Sequence, residues 1–333
     1  MTRVFITARF DLGVLAQLCE RHDVVYESWT ETGQFLPGEE VAQRLNSGKF
    51  EVYVVEGCRL RAKILEMLRY TRLVCVARGT PSNVEIEAAT HLGIVVTNSP
   101  GRNAVAVAEY TVGLMLDLVR GITRSNRMVL TSTFDVRQKA SYVGIELDGR
   151  TVGLVGVGRA GREVARRLRA FNVRVLGYDP YADPLVTKEA GVELVTLDYL
   201  LSVSDIVSVH AASTPETKGL MGADELALMK PTAYLVNTAR GPIVDESALY
   251  EALYHGCIAG AALDVFAEEP VSRDNPLVAL DRVLATPHLG GATAEVVIKH
   301  SCMIAEDIET FASGQCPKRA LNPEAWTSRQ LGQ

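Results

Sequence analysis

The chain has 333 residues, 47% of them hydrophobic, and a formal net charge of −6. That length and composition support two packed domains that need no staple, and without a basic stripe or polybasic tail the partner is a small molecule, not nucleic acid or an anionic membrane surface. Six scattered cysteines with no CxxC pairing are the usage of a reducing compartment, and no metal site is expected.

Arg3, Arg9, Asp11 and Glu20 interrupt the apolar runs at the start, which argues against a signal-peptide core there. No later run approaches a membrane span, and cytoplasmic residence is predicted by elimination. Residues 4–7, 52–55, 73–77 and 94–97 read as strands separated by polar-faced helical stretches, the alternation of βαβ units around a parallel sheet. Residues 103–123 predict one long helix, with Val107, Ala108, Thr111, Val112, Met115, Leu116 and Val119 at helical spacing and Asn103 as its cap. A second parallel sheet begins at Thr151 and continues through 173–178, 206–209, 233–237, 260–265 and 282–285. Turn signals at Ser99-Pro100-Gly101 and over 287–291 mark two crossings, so the last apolar-periodic segment, 294–311, returns to the first domain. The expected division is therefore 1–99 plus 290–333, discontinuous, and 100–289. The fold class is α/β, with two Rossmann-like or flavodoxin-like doubly wound parallel-sheet domains and an interdomain cleft.

The apolar strand from Thr151 runs into Gly156-x-Gly158-x-x-Gly161 and then a helix with Val164, Ala165, Leu168 and Phe171 on one face. Strand, glycines and helix are in the order that a dinucleotide site requires. Gly156 permits the tight turn, Gly158 lets backbone N–H groups approach a pyrophosphate at the helix N-terminus, and Gly161 allows close helix–strand packing. The following strand ends in Asp179, whose carboxylate would accept ribose hydroxyls and repel a 2′-phosphate. NAD is thus the predicted cofactor, favoured over NADP.

Hydride exchange between such a dinucleotide and a carbonyl calls for a proton donor at the oxygen, a group that tunes that donor and, where the substrate is an acid, a cation for its carboxylate. His288, just past a strand, carries an imidazole, a side chain able to give a proton in reduction and take one in oxidation. Glu269, chosen over the adjacent Glu268 by its place before Pro270, would favour the imidazolium by opposite charge. Arg240, past the strand ending in Asn237, offers a guanidinium that pairs bidentately with a carboxylate. His210 has two readings, a cofactor contact or a cap on strand-end backbone groups.

On the glycine turn at 156–161, Met229-Lys230-Pro231 leading to Asn237-Thr238-Ala239-Arg240-Gly241, Asp264-Val265-Phe266 with Glu269-Pro270, and the segment around His288, the chain resembles the D-isomer-specific 2-hydroxyacid dehydrogenase family over nearly its whole length. The resemblance implies Arg240, Glu269 and His288 as the catalytic set and Asp264 as a partner of the nicotinamide amide. Cofactor contacts are implied from Gly156, Gly158, Arg159, Ala160, Gly161, Asp179, His210, Thr217, Thr238, Ala239 and Gly290. Substrate contacts are implied from the backbone at Arg78 and Gly79, from Arg240, and from Asn103 beside the cleft. The family also contains NAD(H)-sensing corepressors and phosphite- or formate-type dehydrogenases; Glu269 argues against the formate type, and no tail or partner groove favours the sensor. The length after Phe311 predicts a form without an additional regulatory domain. Residues 120–149 resemble the family's dimerisation arm, so a homodimer is implied. His210-Ala211-Ala212 and Arg78-Gly79-Thr80-Pro81 depart from common family patterns, the second with a bearing on substrate choice.

Overall fold

The computed structural model describes residues 1–133, 135 and 143–331. The chain divides into two compact units, Met1–Arg102 with Thr293–Gln333, and Asn103–Ala292.

In the discontinuous unit, β1 (Arg3–Ile6), β2 (Asp23–Tyr26), β3 (Val52–Val55), β4 (Leu73–Val76) and β5 (Val95–Thr97) form a parallel sheet in the order β2-β1-β3-β4-β5. Every residue of β3 and β4 is buried, because a parallel sheet is covered on both faces. The two-residue side-chain period sends Phe5, Tyr53, Val55, Val74 and Val76 into one apolar layer. Val4, Ile6, Val52, Val54, Leu73 and Cys75 go into the other, where they meet Ile304, Ile308 and Phe311 of the helix Ala294–Ala312. Asn322 fastens the same tail to β5: its Oδ1 accepts from Val96 N at 2.8 Å and its Nδ2 donates to Ile94 O at 3.0 Å.

The second unit carries β6 (Thr151–Val155), β7 (Arg174–Tyr178), β8 (Glu193–Leu194), β9 (Ile206–Val209), β10 (Tyr234–Asn237), β11 (Gly260–Leu263) and β12 (Val283–Ala285). All pairings are parallel, in the order β12-β11-β10-β9-β6-β7-β8. The chain runs outward from β6 through β7 and β8, then returns to β9 on the other side. The switch point therefore lies between β6 and β9, where open α/β sheets take ligands at the strand carboxyl ends.

The predicted helix over 103–123 is two helices. Gly121 adopts φ 61°, a left-handed cap that ends Ala104–Arg120, and a second helix, Ile122–Leu130, follows. Asn103 occupies the N-cap position without making a capping bond; at φ −107°, ψ 6° its backbone lacks the extended conformation that aims a cap side chain at the helix amides. Part of the dimerisation-arm segment, 134 and 136–142, lies outside the described residues. No described helix is long and apolar enough to cross a membrane.

Candidate active site

The turn after β6 is built by close backbone approaches. Gly156 has φ 96°, and a Cβ there would stand 2.4 Å from Ala211 N; a Cβ on Gly161 would stand 2.4 Å from Gly156 O. Neither position accepts a side chain. A Cβ on Gly158, by contrast, would meet nothing within 4 Å, and the helix Arg159–Leu168 that opens there has no side-chain cap on its first amides. Arg159 and Ala160 thus present unsatisfied N–H groups over open space, an arrangement suited to a pyrophosphate.

Asp179, at the end of β7, accepts from Val157 N through Oδ2 at 2.9 Å and from Tyr181 N through Oδ1 at 3.0 Å, which fixes the carboxylate beside the glycine turn. Across the switch point, burial pushes the pKa of His210 down to about 4, so it is neutral at pH 7. Its Nε2 pairs with Ser208 Oγ at 2.9 Å, while its buried Nδ1 has no partner among the described residues. That orphaned nitrogen, the open cradle and the uncapped amides fit a dinucleotide. Thr217 folds its own turn by donating to Ala212 O at 2.6 Å. Thr238 is buried, its hydroxyl 2.8 Å from that of Thr111, with Ala239 held by Asn237 at 3.0 Å.

His288 and Glu269 come together: Nδ1 lies 2.7 Å from Glu269 Oε2, both side chains half-exposed, and Glu269 Oε1 accepts from Phe266 N at 3.2 Å. His288 sits at φ 57°, unusual for a residue with a Cβ, and Asp264 holds it there. The His288 amide donates to Asp264 O at 2.8 Å. The buried Asp264 carboxylate accepts from Thr286 Oγ1 at 2.7 Å, Leu289 N at 2.9 Å and Gly290 N at 2.8 Å. Three donors on one carboxylate leave it chiefly an organiser of the 286–290 loop.

Arg240 is exposed and extended, and its Nη1 donates to Ala239 O at 2.6 Å. Asn237, unremarked in the sequence beyond its motif, clamps this turn: its Nδ2 donates to Arg240 O and its Oδ1 accepts from Ala239 N, both at 3.0 Å. Gly241 is equally constrained, since a Cβ there would be 2.0 Å from the Phe266 carbonyl. The Arg240 turn therefore backs directly onto the segment that carries Glu269. Glu246 was also missed; it accepts from Ala267 N and Asn275 Nδ2, at 2.6 and 2.8 Å, and steadies that segment from behind. Its only sequence signal is an acidic first helical turn.

In the other unit, Arg78 and Gly79 follow β4. Arg78 O accepts from Ser99 N at 2.9 Å and Gly79 O from Asn98 Nδ2 at 2.6 Å, while the Gly79 amide has no partner among the described residues. Asn103 packs against Gly291, where a Cβ would be 3.0 Å from its Nδ2. No cluster of three or more metal-ligating side chains occurs among the described residues.

Residues 112–290 match the family model of the D-isomer-specific 2-hydroxyacid dehydrogenase NAD-binding domain. A D-3-phosphoglycerate dehydrogenase of Archaeoglobus fulgidus is 41% identical over 82% of this chain and 52% of its own length, so the chain spans about half of that relative. A glyoxylate reductase of Aeropyrum pernix is 37% identical over 99% of this chain and 98% of its own. Among solved structures, D-lactate dehydrogenase from Aquifex aeolicus, complexed with NAD and lactic acid, superposes with a TM-score of 0.79 at 27% identity, over 96% of this chain and 99% of that one.

Proposed function

The chain belongs to the D-isomer-specific 2-hydroxyacid dehydrogenase family, and from that premise we propose that it interconverts a small D-2-hydroxy acid and its 2-keto acid with NAD. NAD, when bound, supplies or accepts the hydride; the chain's own residues bind, orient and move the proton. The observation that carries the reading is the 2.7 Å pair between His288 Nδ1 and Glu269 Oε2. Glu269 accepts the Nδ1 hydrogen, which leaves Nε2, unpartnered among the described residues, to exchange a proton with the substrate oxygen. Protonated, Nε2 donates to the keto oxygen; neutral, it takes the hydroxyl proton. Arg240, with most of its donors unpaired among the described residues, binds the substrate carboxylate, and the Gly79 amide with the Arg78 backbone adds donors to it. Asn103 contacts the substrate, and Gly290 and Asp264 lie on the nicotinamide side. Gly156, Gly158, Arg159, Ala160, Gly161, Asp179, His210, Thr217, Thr238 and Ala239 line the dinucleotide.

We also propose a homodimer in the cytoplasm. Supporting the dimer, the helix Ile122–Leu130 buries none of its residues and exposes Ile122, Val129 and Leu130, apolar side chains that a second subunit would cover.

NADH consumption with glyoxylate, pyruvate, hydroxypyruvate and phosphohydroxypyruvate tests the reaction. The wild-type chain is expected to turn over at least one of them, and His288→Ala to lose about 100-fold or more of kcat. Tight NADH binding with no turnover of any acid refutes the reading.

A further inference from the structure

In the second unit a hydrogen bond ties together the two loops that flank the glycine turn. β6 lies between β9 and β7 in the sheet, so the loops that follow β7 and β9 stand on either side of that turn. Asp179 opens the first of these loops and His210 the second. Tyr181 Oη, from the first, donates to Glu216 Oε2, from the second, at 2.8 Å. The bond therefore spans the carboxyl end of β6. On this same edge lie the uncapped amides of the helix Arg159–Leu168 and the orphaned His210 Nδ1.

Each end of the tie is fixed by its own loop. The Tyr181 amide donates to Asp179 Oδ1 at 3.0 Å, and Asp179 Oδ2 accepts from Val157 N of the glycine turn at 2.9 Å. On the far side, Thr217 Oγ1 donates to Ala212 O at 2.6 Å and accepts from Thr214 N at 2.8 Å, which folds the turn that carries Glu216. Tyr181 is 82% exposed and Glu216 is exposed as well, so neither side chain is there to fill a core. The hydrogen bond to Glu216 above all raises the pKa of Tyr181, which keeps the phenol protonated and donating at pH 7.

The charges held by this arrangement matter more than the bond itself. Backbone amides and a phenol are neutral donors, so they orient the Asp179 and Glu216 carboxylates without neutralising either. Among the described residues no cation forms an ion pair with either one, not even Lys218, two residues after Glu216, or Arg159 at the head of the helix. Arg174 and Lys230 are spent on Glu193 and Asp205. Two uncompensated negative charges thus stand at the two ends of one tyrosine, and a ligand group that brought further negative charge to them would be repelled by both.

We propose that Glu216, aimed by Tyr181, is a second carboxylate that keeps a 2′-phosphate from the dinucleotide edge, so that the choice of NAD over NADP is divided between Asp179 and Glu216. Tyr181 is a positioning residue, its amide holding one carboxylate and its hydroxyl the other. The inference rests on the proposed function for its ligand, with Asp179 lining the dinucleotide, and on the tie between Tyr181 and Glu216 for the added residue.

Titration of the full chain with NADH and with NADPH, followed by nicotinamide fluorescence in the absence of any acid, gives a Kd for each. The wild type is expected to prefer NADH. Glu216→Gln keeps an acceptor for Tyr181 and removes the charge; it should lower the ratio of the NADPH Kd to the NADH Kd about three- to tenfold, and Glu216→Lys should lower it further. Tyr181→Phe, which keeps the ring and frees the carboxylate, should lower it part of the way. The gap between the wild type and Glu216→Gln should narrow at about 0.5 M salt, where the screening length is about 4 Å. A tie with a purely structural role would weaken both dinucleotides alike. A ratio that stays the same in Glu216→Gln, or that does not fall in the order Glu, Gln, Lys, overturns the proposal. A wild type that binds neither dinucleotide refutes the proposed function and this inference with it, whereas NADH binding with an unmoved ratio refutes the inference alone.

Discussion

Asp264→Asn removes one negative charge and one acceptor oxygen from a carboxylate that takes three hydrogen bonds from the loop carrying His288. In the better of its two amide orientations, Asn keeps the bonds from Thr286 and Leu289 and points an NH2 at Gly290 N, 2.8 Å away, where two donors then oppose one another. A hydrogen bond to a charged group is worth about 1.5–3 kcal/mol net, and roughly half that once the acceptor is neutral. One lost and two weakened bonds sum to about 4 kcal/mol. The left-handed backbone at His288 opposes the folded loop by about 1–2 kcal/mol, so the variant loop has little left to hold it in place. We expect kcat to fall at least about tenfold with the KM for the keto acid little changed, because the loss falls on the placement of the imidazole and not on the carboxylate anchor. The melting midpoint should drop by about 8–16 °C, at about 2–4 °C per kcal/mol for a unit of this size. Steady-state kinetics and a thermal melt read the two effects. A variant that turns over at the wild-type rate and melts with the wild type refutes the view that Asp264 holds His288 in place.

Arg240→Ala should lower kcat/KM for every 2-keto acid by about 100-fold, as expected on removing a bidentate charged pair; normal kinetics would remove Arg240 from the substrate. Gly241→Ala forces a Cβ to within 2.0 Å of the Phe266 carbonyl, so we expect it to separate the Arg240 turn from the Glu269 segment and cost about 3 kcal/mol or more in a denaturation series. Asp179→Asn should raise the NADPH-to-NADH ratio of kcat/KM, since the charge that repels a 2′-phosphate is gone; an unchanged ratio would relocate the discrimination. For His300, the folded pKa of about 4 lies below the ordinary value of about 6.5. Between those pH values the unfolded chain binds a proton that the folded chain refuses, so stability is full above about pH 6.5 and declines as pH falls towards 4. That amounts to about 2 kcal/mol between pH 7 and pH 5, and His300→Gln should flatten that part of the urea-midpoint curve.

The parallel strands were legible because they are continuous apolar runs of a fully covered sheet; β3 and β4 need no partner in sequence to be recognised. β2 and β8 were missed for the converse reason: they are short, half-exposed edge strands, β8 only two residues long and the apolar part of β2, Val24-Val25-Tyr26, only three. His288, Glu269 and Arg240 could be picked out because each follows a strand end within a dense local pattern, and the 2.7 Å contact joins two of them. The restraints behind them were not legible. That Asn237 clamps the Arg240 turn, or that Asp264 spends its oxygens on its own loop, depends on distances between segments and not on composition. Arg9, Glu56, Arg102 and His300 are the extreme case, meeting from four separate stretches, the first three after strand ends and His300 on the helix Ala294–Ala312. Asn103 shows the limit of a residue-type rule, since a cap requires a backbone angle as well as a suitable side chain.

The tie between Asn322 and β5 has a consequence for synthesis on the ribosome. Everything that the second unit needs has been translated by Ala292, and that half can complete its core while still tethered to the translating ribosome. The first unit, although its strands emerge earliest, waits for the helix Ala294–Ala312 and for Asn322 to cover one face of its sheet and close its edge. The half that emerges first is the half that finishes last, and in the interval its apolar strands are what a chaperone would meet.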